Sequence, residues 1–178
     1  MNTIECIKSR RSVRSFTGEK PSREIIAQII SAAAFAPSWK NTQITRYIII
    51  EDDSIKSEIA AACDFDFNVK TMKQAPALVA VTAVKKRSGY ERDGSYSTGR
   101  GNGWQMFDAG IASQTFCLAA HEYGLGTVIL GIFNQEETEK LIKLPEDREL
   151  IALIALGVPE TTPEAPKRKT VEELVTYL

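Results

Sequence analysis

The sequence has little of the residue types on which much protein chemistry depends. It contains one histidine, His121, so a Ser-His-Asp relay or a histidine-rich metal site would rest on that single side chain. The three cysteines are odd in number and widely separated, and no CxxC pair occurs, which argues against a disulfide framework or a thiolate metal site. We therefore expect no metal centre, and a reducing compartment.

Net charge and long apolar runs are also lacking. The 178 residues include 22 basic and 23 acidic side chains, a formal net charge of −1, so no overall field attracts nucleic acid or anionic lipid. No segment approaches the ~18 apolar residues of a membrane-spanning helix, and no apolar stretch follows a basic start, as it does in a signal peptide. The sequence predicts a cytoplasmic protein with no nucleic-acid or membrane partner.

One short segment concentrates positive charge. Residues 10–16 carry three guanidinium groups and two hydroxyls. Guanidinium donors match phosphate oxygens in pairs, and a serine hydroxyl adds a neutral donor. Asn2 and Glu5 have the spacing of a capping box, which predicts a short helix over residues 3–9 that delivers the arginines at its end. The run indicates an anion site, and a solvated basic turn is the alternative.

Hydrophobic periodicity predicts a chain of helices and strands. Helices are expected from Pro21 to a point before Pro37, and over 54–62, 104–123 and 134–144. Strands are expected over 45–50, 78–84, 127–130 and 149–156. The pattern over 104–123 is apolar around most of its circumference, so we expect that helix in the core and partly in a subunit interface.

Two segments differ in composition from the rest. Residues 85–103 combine clustered charges with several glycines, and loops of this length in a compact domain are commonly lids or binding loops. Residues 161–178 follow prolines and charges with an apolar end, which indicates a tail that docks on its own core or on a partner. We expect one domain over 1–160, a lid at 85–103 and a C-terminal extension at 161–178. A surface excursion and a frayed end are the alternatives.

Together the motifs resemble the flavin-dependent nitroreductase family, from Ile7 to Leu174. They are an Arg-x-Ser-x-Arg run at 10–14, an Ala-Pro-Ser-x-x-Asn-x-Gln segment at 36–43, a central helix followed by Gly-Leu-Gly-Thr at 124–127, and a closing segment at 157–174. Their order carries the resemblance, since no single motif is decisive. The chain departs from the family by Trp39 and Lys40 in place of small residues and by Ile44 in place of the usual proline.

The resemblance implies an α+β, three-layer fold, in which helices flank a mixed four- to five-stranded sheet, within an intertwined homodimer. It also implies FMN in the dimer cleft. By matching position, Arg10, Ser12 and Arg168 would hold the phosphate, and Arg14 would lie near the pyrimidine edge. The implied cofactor-binding residues are Arg10, Arg11, Ser12, Arg14, Pro37, Ser38, Trp39, Asn41, Asn68, Leu130, Gly131 and Arg168, of which those at 37–41 would come from the partner subunit.

The implied activity is that of a ping-pong oxidoreductase. NADH or NADPH would give a hydride to FMN, and a nitro, quinone or similar small oxidised acceptor would take two electrons. Because the flavin performs the chemistry, no catalytic side chain is expected, which agrees with the single histidine. A specialised oxygen-dependent or dehalogenating flavin enzyme, a flavin-binding module without turnover and an oligomeric scaffold are the alternatives.

Overall fold

The computed structural model describes all 178 residues and has six α-helices, one 3₁₀ turn and four strands. The helices are α1 (Thr3–Ser9), α2 (Arg23–Ala33), α3 (Asp53–Ala61), α4 (Asp66–Gln74), α5 (Gly103–Glu122) and α6 (Gln135–Leu141). The strands are β1 (Thr45–Ile50), β2 (Ala77–Val84), β3 (Gly126–Leu130) and β4 (Arg148–Gly157), and the 3₁₀ turn is Trp39–Asn41. Every predicted helix and strand is present.

The four strands form one sheet in the order β1-β2-β4-β3. All three ladders are antiparallel. The one parallel pairing is an isolated bridge between Ser12 and Thr127 of β3, so the parallel part of the predicted mixed sheet is confined to this edge. The central strands β2 and β4 are largely buried along their length, which is typical of strands covered on both faces.

Two apolar cores lie on opposite faces of this sheet. Successive side chains of a strand point to opposite faces, and β4 shows this directly: Leu153 and Ala155 belong to one core, Ile154 and Leu156 to the other. The first core also contains residues of α3, α4 and the run 10–16, and the second contains residues of α2 and α5. The three-layer α+β architecture is therefore confirmed.

Side-chain caps explain why most helices begin where the sequence predicts. Asn2, Ser22, Asp52 and Asn134 each accept a backbone N–H of the first turn of the helix that follows. Helix α4 has no such cap, and only one of its three buried side chains is apolar. It therefore lacks a side-chain start signal, and its buried face is mostly polar, which is why it was not predicted.

The segment between β2 and α5 has no helix or strand, but it is folded against its surroundings. Glu91 N–H donates to the Ser95 carbonyl, and Lys40 forms a salt bridge of 3.2 Å with Glu91. The Trp104 indole N–H donates to Thr98 Oγ1 at 2.9 Å. These contacts connect the predicted lid to the 3₁₀ turn on one side and to α5 on the other.

The tail after Pro163 lies outside both cores. Its apolar side chains are exposed, Leu174 by 71% and Tyr177 by 87%. The polar contacts of its last residues, such as the salt bridge from Lys169 to Glu173, stay within the tail. The tail therefore does not pack against the core of its own chain in this structure.

Candidate functional site

The arginine-rich run 10–16 lies along the free edge of β3. Val13 N–H donates to the Thr127 carbonyl at 2.9 Å, and Ser12 forms the parallel bridge to the same residue. Gly126 makes this approach possible, because a methyl group at its Cα would lie only 2.7 Å from Val13 Cβ. The packing of Val13 against β3 therefore fixes where the neighbouring polar side chains of the run are presented.

The guanidinium groups of this run have no carboxylate partner. None of Arg10, Arg11 and Arg14 has a carboxylate oxygen within 4.0 Å. Arg11 Nη1 donates to the Lys8 and Arg10 carbonyls at the end of α1, at 2.6 and 2.9 Å. Arg14 Nη1 donates to the Ser12 carbonyl at 3.1 Å. Three uncompensated cations within five residues favour an anion at this edge.

Helix α4 places Asn68 against the turn that ends β3. Asn68 is 7% exposed, and its Nδ2 donates to the Ile132 carbonyl at 2.9 Å. The adjoining Leu130 and Gly131 form the end of β3 and its exit, and nothing lies within 4 Å of the position that a Cβ on Gly131 would take. Asn68 is thus hydrogen-bonded to the residue that follows the Leu130–Gly131 turn.

A cavity of about 250 Å³ opens between the run and α4. Arg14 lies over one wall of it, with its guanidinium carbon 5.3 Å from the centre of the Phe67 ring. The cavity is lined by Arg14, Ser15, Phe67, Lys70, Thr71, Gln74, Thr161 and Pro163. Lys70 and Phe67 were not predicted as site residues, because the helix that carries them was not recognised.

The 36–43 segment adopts an unusual backbone conformation. Lys40, Asn41 and Gln43 have φ of 45°, 55° and 47°, and each such residue costs about 1–3 kcal/mol unless its surroundings enforce it. Two side chains do so here. The carboxylate of Asp108, which is 3% exposed, accepts Trp39 N–H at 3.0 and 3.1 Å, and Ser38 Oγ accepts Gln43 N–H at 2.9 Å.

Trp39 packs against α5. Its ring centroid is 4.6 Å from that of Trp104, and Lys40 Nζ lies 5.6 Å from the Trp39 ring. Its indole nitrogen is buried without a hydrogen-bond partner. Behind this segment a cavity of about 300 Å³ extends past Asp108 to Tyr47, whose pKa burial raises to about 12. Asp108 was not predicted, since an acidic residue in an apolar helix carries no sequence signal for anchoring.

The predicted cofactor residues fall into three separate places. Arg10, Ser12 and Arg14 lie with Asn68, Leu130 and Gly131 at the β3 edge, and Arg11 lies beside them at the end of α1. Pro37, Ser38, Trp39 and Asn41 precede β1, which is the opposite edge of the sheet. Arg168 lies in the exposed tail. Three strand spacings separate the two edges, about 14 Å, so one chain does not assemble the whole set.

The single histidine lies close to the arginine run. Ser9 Oγ donates to the Glu5 carbonyl at 2.7 Å and lies 2.8 Å from His121 Nε2. Burial, assisted by the positive charge of Arg10, lowers the pKa of His121 below 6.5. The structure contains no group of three or more histidine, cysteine or acidic side chains able to hold a metal ion, and no helix long and apolar enough to cross a membrane.

Comparison with known proteins identifies the family of this chain. The model of the nitroreductase family matches residues 7–64 and 64–158. An FMN reductase [NAD(P)H] of Bacillus subtilis is 30% identical over an alignment of 183 positions, which covers 98% of this chain and 72% of that protein. An iodotyrosine deiodinase of Thermotoga neapolitana is 27% identical over an alignment of 193 positions, which covers 96% of each chain.

The fold comparison gives the same class. The crystal structure of a nitroreductase family protein from Clostridium novyi NT superimposes with a TM-score of 0.79 at 29% identity, covering 93% of this chain and 89% of that one. The three-layer α+β fold is thus shared with a protein of this family. This chain belongs to the nitroreductase family.

Proposed function

We propose that this chain, an NAD(P)H-dependent flavin oxidoreductase, holds FMN at the β3 edge and passes two electrons to a small nitro or quinone acceptor. Its family and its flavin-reductase relative support the reaction class. The observation that carries the location is the uncompensated charge of Arg10, Arg11 and Arg14 beside the Leu130–Gly131 turn.

The residues at this edge fit the chemistry of FMN. A phosphate dianion requires paired cationic and hydroxyl donors, which Arg10, Arg11 and Ser12 supply. Arg14 supplies a cation for the pyrimidine edge of the ring, where negative charge develops on reduction. The open approach to Gly131 leaves the backbone of the Leu130–Gly131 turn accessible to a planar ligand. Asn68 supports that turn through the Ile132 carbonyl.

FMN, when bound, supplies the redox chemistry: it takes a hydride from NADH or NADPH and gives two electrons to the acceptor. For a nitro compound the balance is one NAD(P)H, one proton and R–NO₂ giving NAD(P)⁺, R–NO and water. The chain binds, orients and polarises the reactants, so no side chain has to accept or donate a proton as a catalyst.

The active form proposed here is a homodimer. The two halves of the predicted site lie at opposite edges of one sheet, so a second copy is needed to bring Pro37, Ser38, Trp39 and Asn41 to the flavin. Helices α1 and α5 leave Ile4, Ile7 and Met106 exposed, which supplies an apolar surface for such a contact. The tail at 161–178 would dock on the partner, bury its apolar end and deliver Arg168 to the phosphate.

The remaining expectations follow the same proposal. The body at 1–160 is the FMN-binding domain, and the loop at 85–103 covers the acceptor side of the site. The salt bridge between Lys40 and Glu91 supports this role, because it joins the loop to the segment assigned to the partner's flavin. All three cysteines are free and buried, which suits the reducing cytoplasm that we propose as the location.

Reductive dehalogenation is a second candidate reaction. The relative from Thermotoga neapolitana is named an iodotyrosine deiodinase and matches this chain over 96% of both lengths. The two reactions share the flavin and differ in the acceptor. Supplying each acceptor in turn to the same reduced protein, and following flavin reoxidation, separates them.

The test of the proposed function is spectroscopic and kinetic. Purified full-length protein loaded with FMN should show a bound-flavin absorption spectrum, bleach on anaerobic titration with NADH or NADPH, and regain its colour when a quinone is added. Arg10→Ala should weaken FMN retention, whereas Arg92→Ala, an exposed arginine of the 85–103 loop, should not. A protein that stays colourless with FMN in excess would refute the proposal, and bound flavin that no nicotinamide reduces would favour a storage module.

A further inference from the structure

A third cavity lies at the start of α5, away from the β3 edge. Its volume is about 630 Å³, within the range of small-molecule sites. It is lined by Gly99, Arg100, Gly103, Trp104 and Phe107. None of these residues belongs to the predicted cofactor set, and the cavity combines two aromatic walls with one cation.

The aromatic walls are held in place by their neighbours. The Trp104 indole N–H donates to Thr98, and the Trp104 ring packs against Trp39 with the two planes tilted by 44°. Gly89 packs so closely that a methyl there would lie 3.0 Å from Trp104 Cβ. Phe107 meets Trp104 edge to face, with centroids 5.6 Å apart and planes at 80°, and it is 58% exposed. The two rings form a rigid corner that suits a planar aromatic ligand.

The cation of the cavity is uncompensated. Arg100 has no carboxylate within 4.0 Å, and its guanidinium makes no hydrogen bond within the chain. The loop 85–103 carries five basic and two acidic side chains, a net charge of +3 in a protein whose total is −1. Both acids are already engaged, Glu91 by Lys40 and Asp93 by Ser95. The cavity is therefore electropositive.

We infer that this cavity binds the ring of the electron acceptor, and that Arg100 selects acceptors that bear an anionic substituent such as a carboxylate. The inference rests on the proposed function, because Trp39, which backs Trp104, belongs to the segment assigned to the partner's flavin. An aromatic carboxylate would place its ring against Trp104 and Phe107 and its charge on the guanidinium. Arg100 binds and orients this acceptor and takes no part in proton transfer.

The probe reaction is balanced within the proposed activity. With 4-nitrobenzoate, NAD(P)H is oxidised, the nitro group is reduced to nitroso, one N–O bond breaks, and the oxygen leaves as water with the hydride hydrogen and one solvent proton. The carboxylate is unchanged, so it reports binding alone. The neutral analogue 4-nitrobenzyl alcohol has the same ring and nitro group without the charge.

The kinetic test uses FMN-loaded full-length protein and compares kcat/KM for these two acceptors. The wild type should prefer 4-nitrobenzoate, and Arg100→Gln should lower the ratio of the two kcat/KM values about tenfold, the loss expected for one charge-assisted contact. Arg100→Lys should recover part of the ratio because it restores the charge. Arg92→Gln, a matched loss of charge in the same loop but outside the cavity, should leave the ratio at its wild-type value.

A binding readout without nicotinamide separates the two proposals. Added 4-nitrobenzoate should quench tryptophan fluorescence with saturation, and Arg100→Gln should raise the midpoint about tenfold. If a quinone is reduced but the acceptor ratio is the same in the wild type and in Arg100→Gln, the cavity assignment is wrong and the proposed function stands. If no acceptor supports NAD(P)H oxidation, the proposed function fails. A fluorescence midpoint that is the same in the wild type and in Arg100→Gln would overturn the cavity assignment.

Discussion

Replacing Asp108 with alanine should weaken FMN binding although Asp108 is not expected to touch the flavin. Its carboxylate is 3% exposed and accepts Trp39 N–H with both oxygens, at 3.0 and 3.1 Å. The 36–43 segment that it anchors contains three non-glycine residues with φ near +50°. Without the anchor this segment is free to relax, and it would no longer cover the flavin of the partner subunit.

The magnitude follows from two opposing quantities. A hydrogen bond to a charged acceptor contributes about 1.5–3 kcal/mol. The left-handed backbone of the segment costs about 1–3 kcal/mol per residue, a strain that favours rearrangement once the anchor is removed. Ser38 and Trp104 still hold the segment in part, through Gln43 N–H and the Trp39 ring. We therefore expect the lower end of the range, about a tenfold rise in the FMN dissociation constant.

The assay is a titration of the FMN-free protein with FMN, followed by flavin fluorescence. Asp108→Asn is the matched control, because it keeps the shape and one acceptor oxygen and should lose much less affinity than Asp108→Ala. It also keeps the test decisive should the alanine variant fail to fold. An Asp108→Ala protein with native circular dichroism and an unchanged dissociation constant would show that the anchored segment does not contribute to the flavin site.

Four further outcomes are expected. Gly126→Ala should lower the thermal midpoint and the FMN affinity, because the new methyl displaces the run 10–16. Gly99→Ala, which has open space around it, should change neither quantity. Equal effects of the two substitutions would refute this expectation. Arg168→Ala should raise the FMN dissociation constant about tenfold. Truncation after Gly157 should shift the dimer towards monomer in light scattering. A truncated protein that remains a dimer would argue against the docking tail. The pKa of His121 is lowered below 6.5 in the folded chain, so the unfolded chain gains the proton first as the pH falls. Acidification towards pH 5 should therefore lower the free energy of unfolding of the wild type more than that of His121→Gln, as measured by urea titration. Parallel stability profiles for the two proteins would contradict that last expectation.

Local signals were sufficient for most of the secondary structure. Caps at Asn2, Ser22, Asp52 and Asn134 and alternating apolar residues in the strands act between neighbours in the chain, so they can be identified without a fold. The arginine run was found for the same reason. Helix α4 was missed because its place is determined by contacts with distant elements, such as Asn68 with Ile132, and not by its own periodicity.

The sequence by itself determined five of the six helices, the strand positions, the family motifs and the cation-rich run, since each depends on residues that lie close together along the chain. Tertiary structure decided which of these meet. It placed the run 10–16 and Asn68 at the β3 edge, put the 36–43 segment at the opposite edge under the control of Asp108, and gave Arg100 its aromatic neighbours. The physical reason is that packing across a sheet joins residues far apart in sequence, and no local pattern encodes which distant side chain fills a given space.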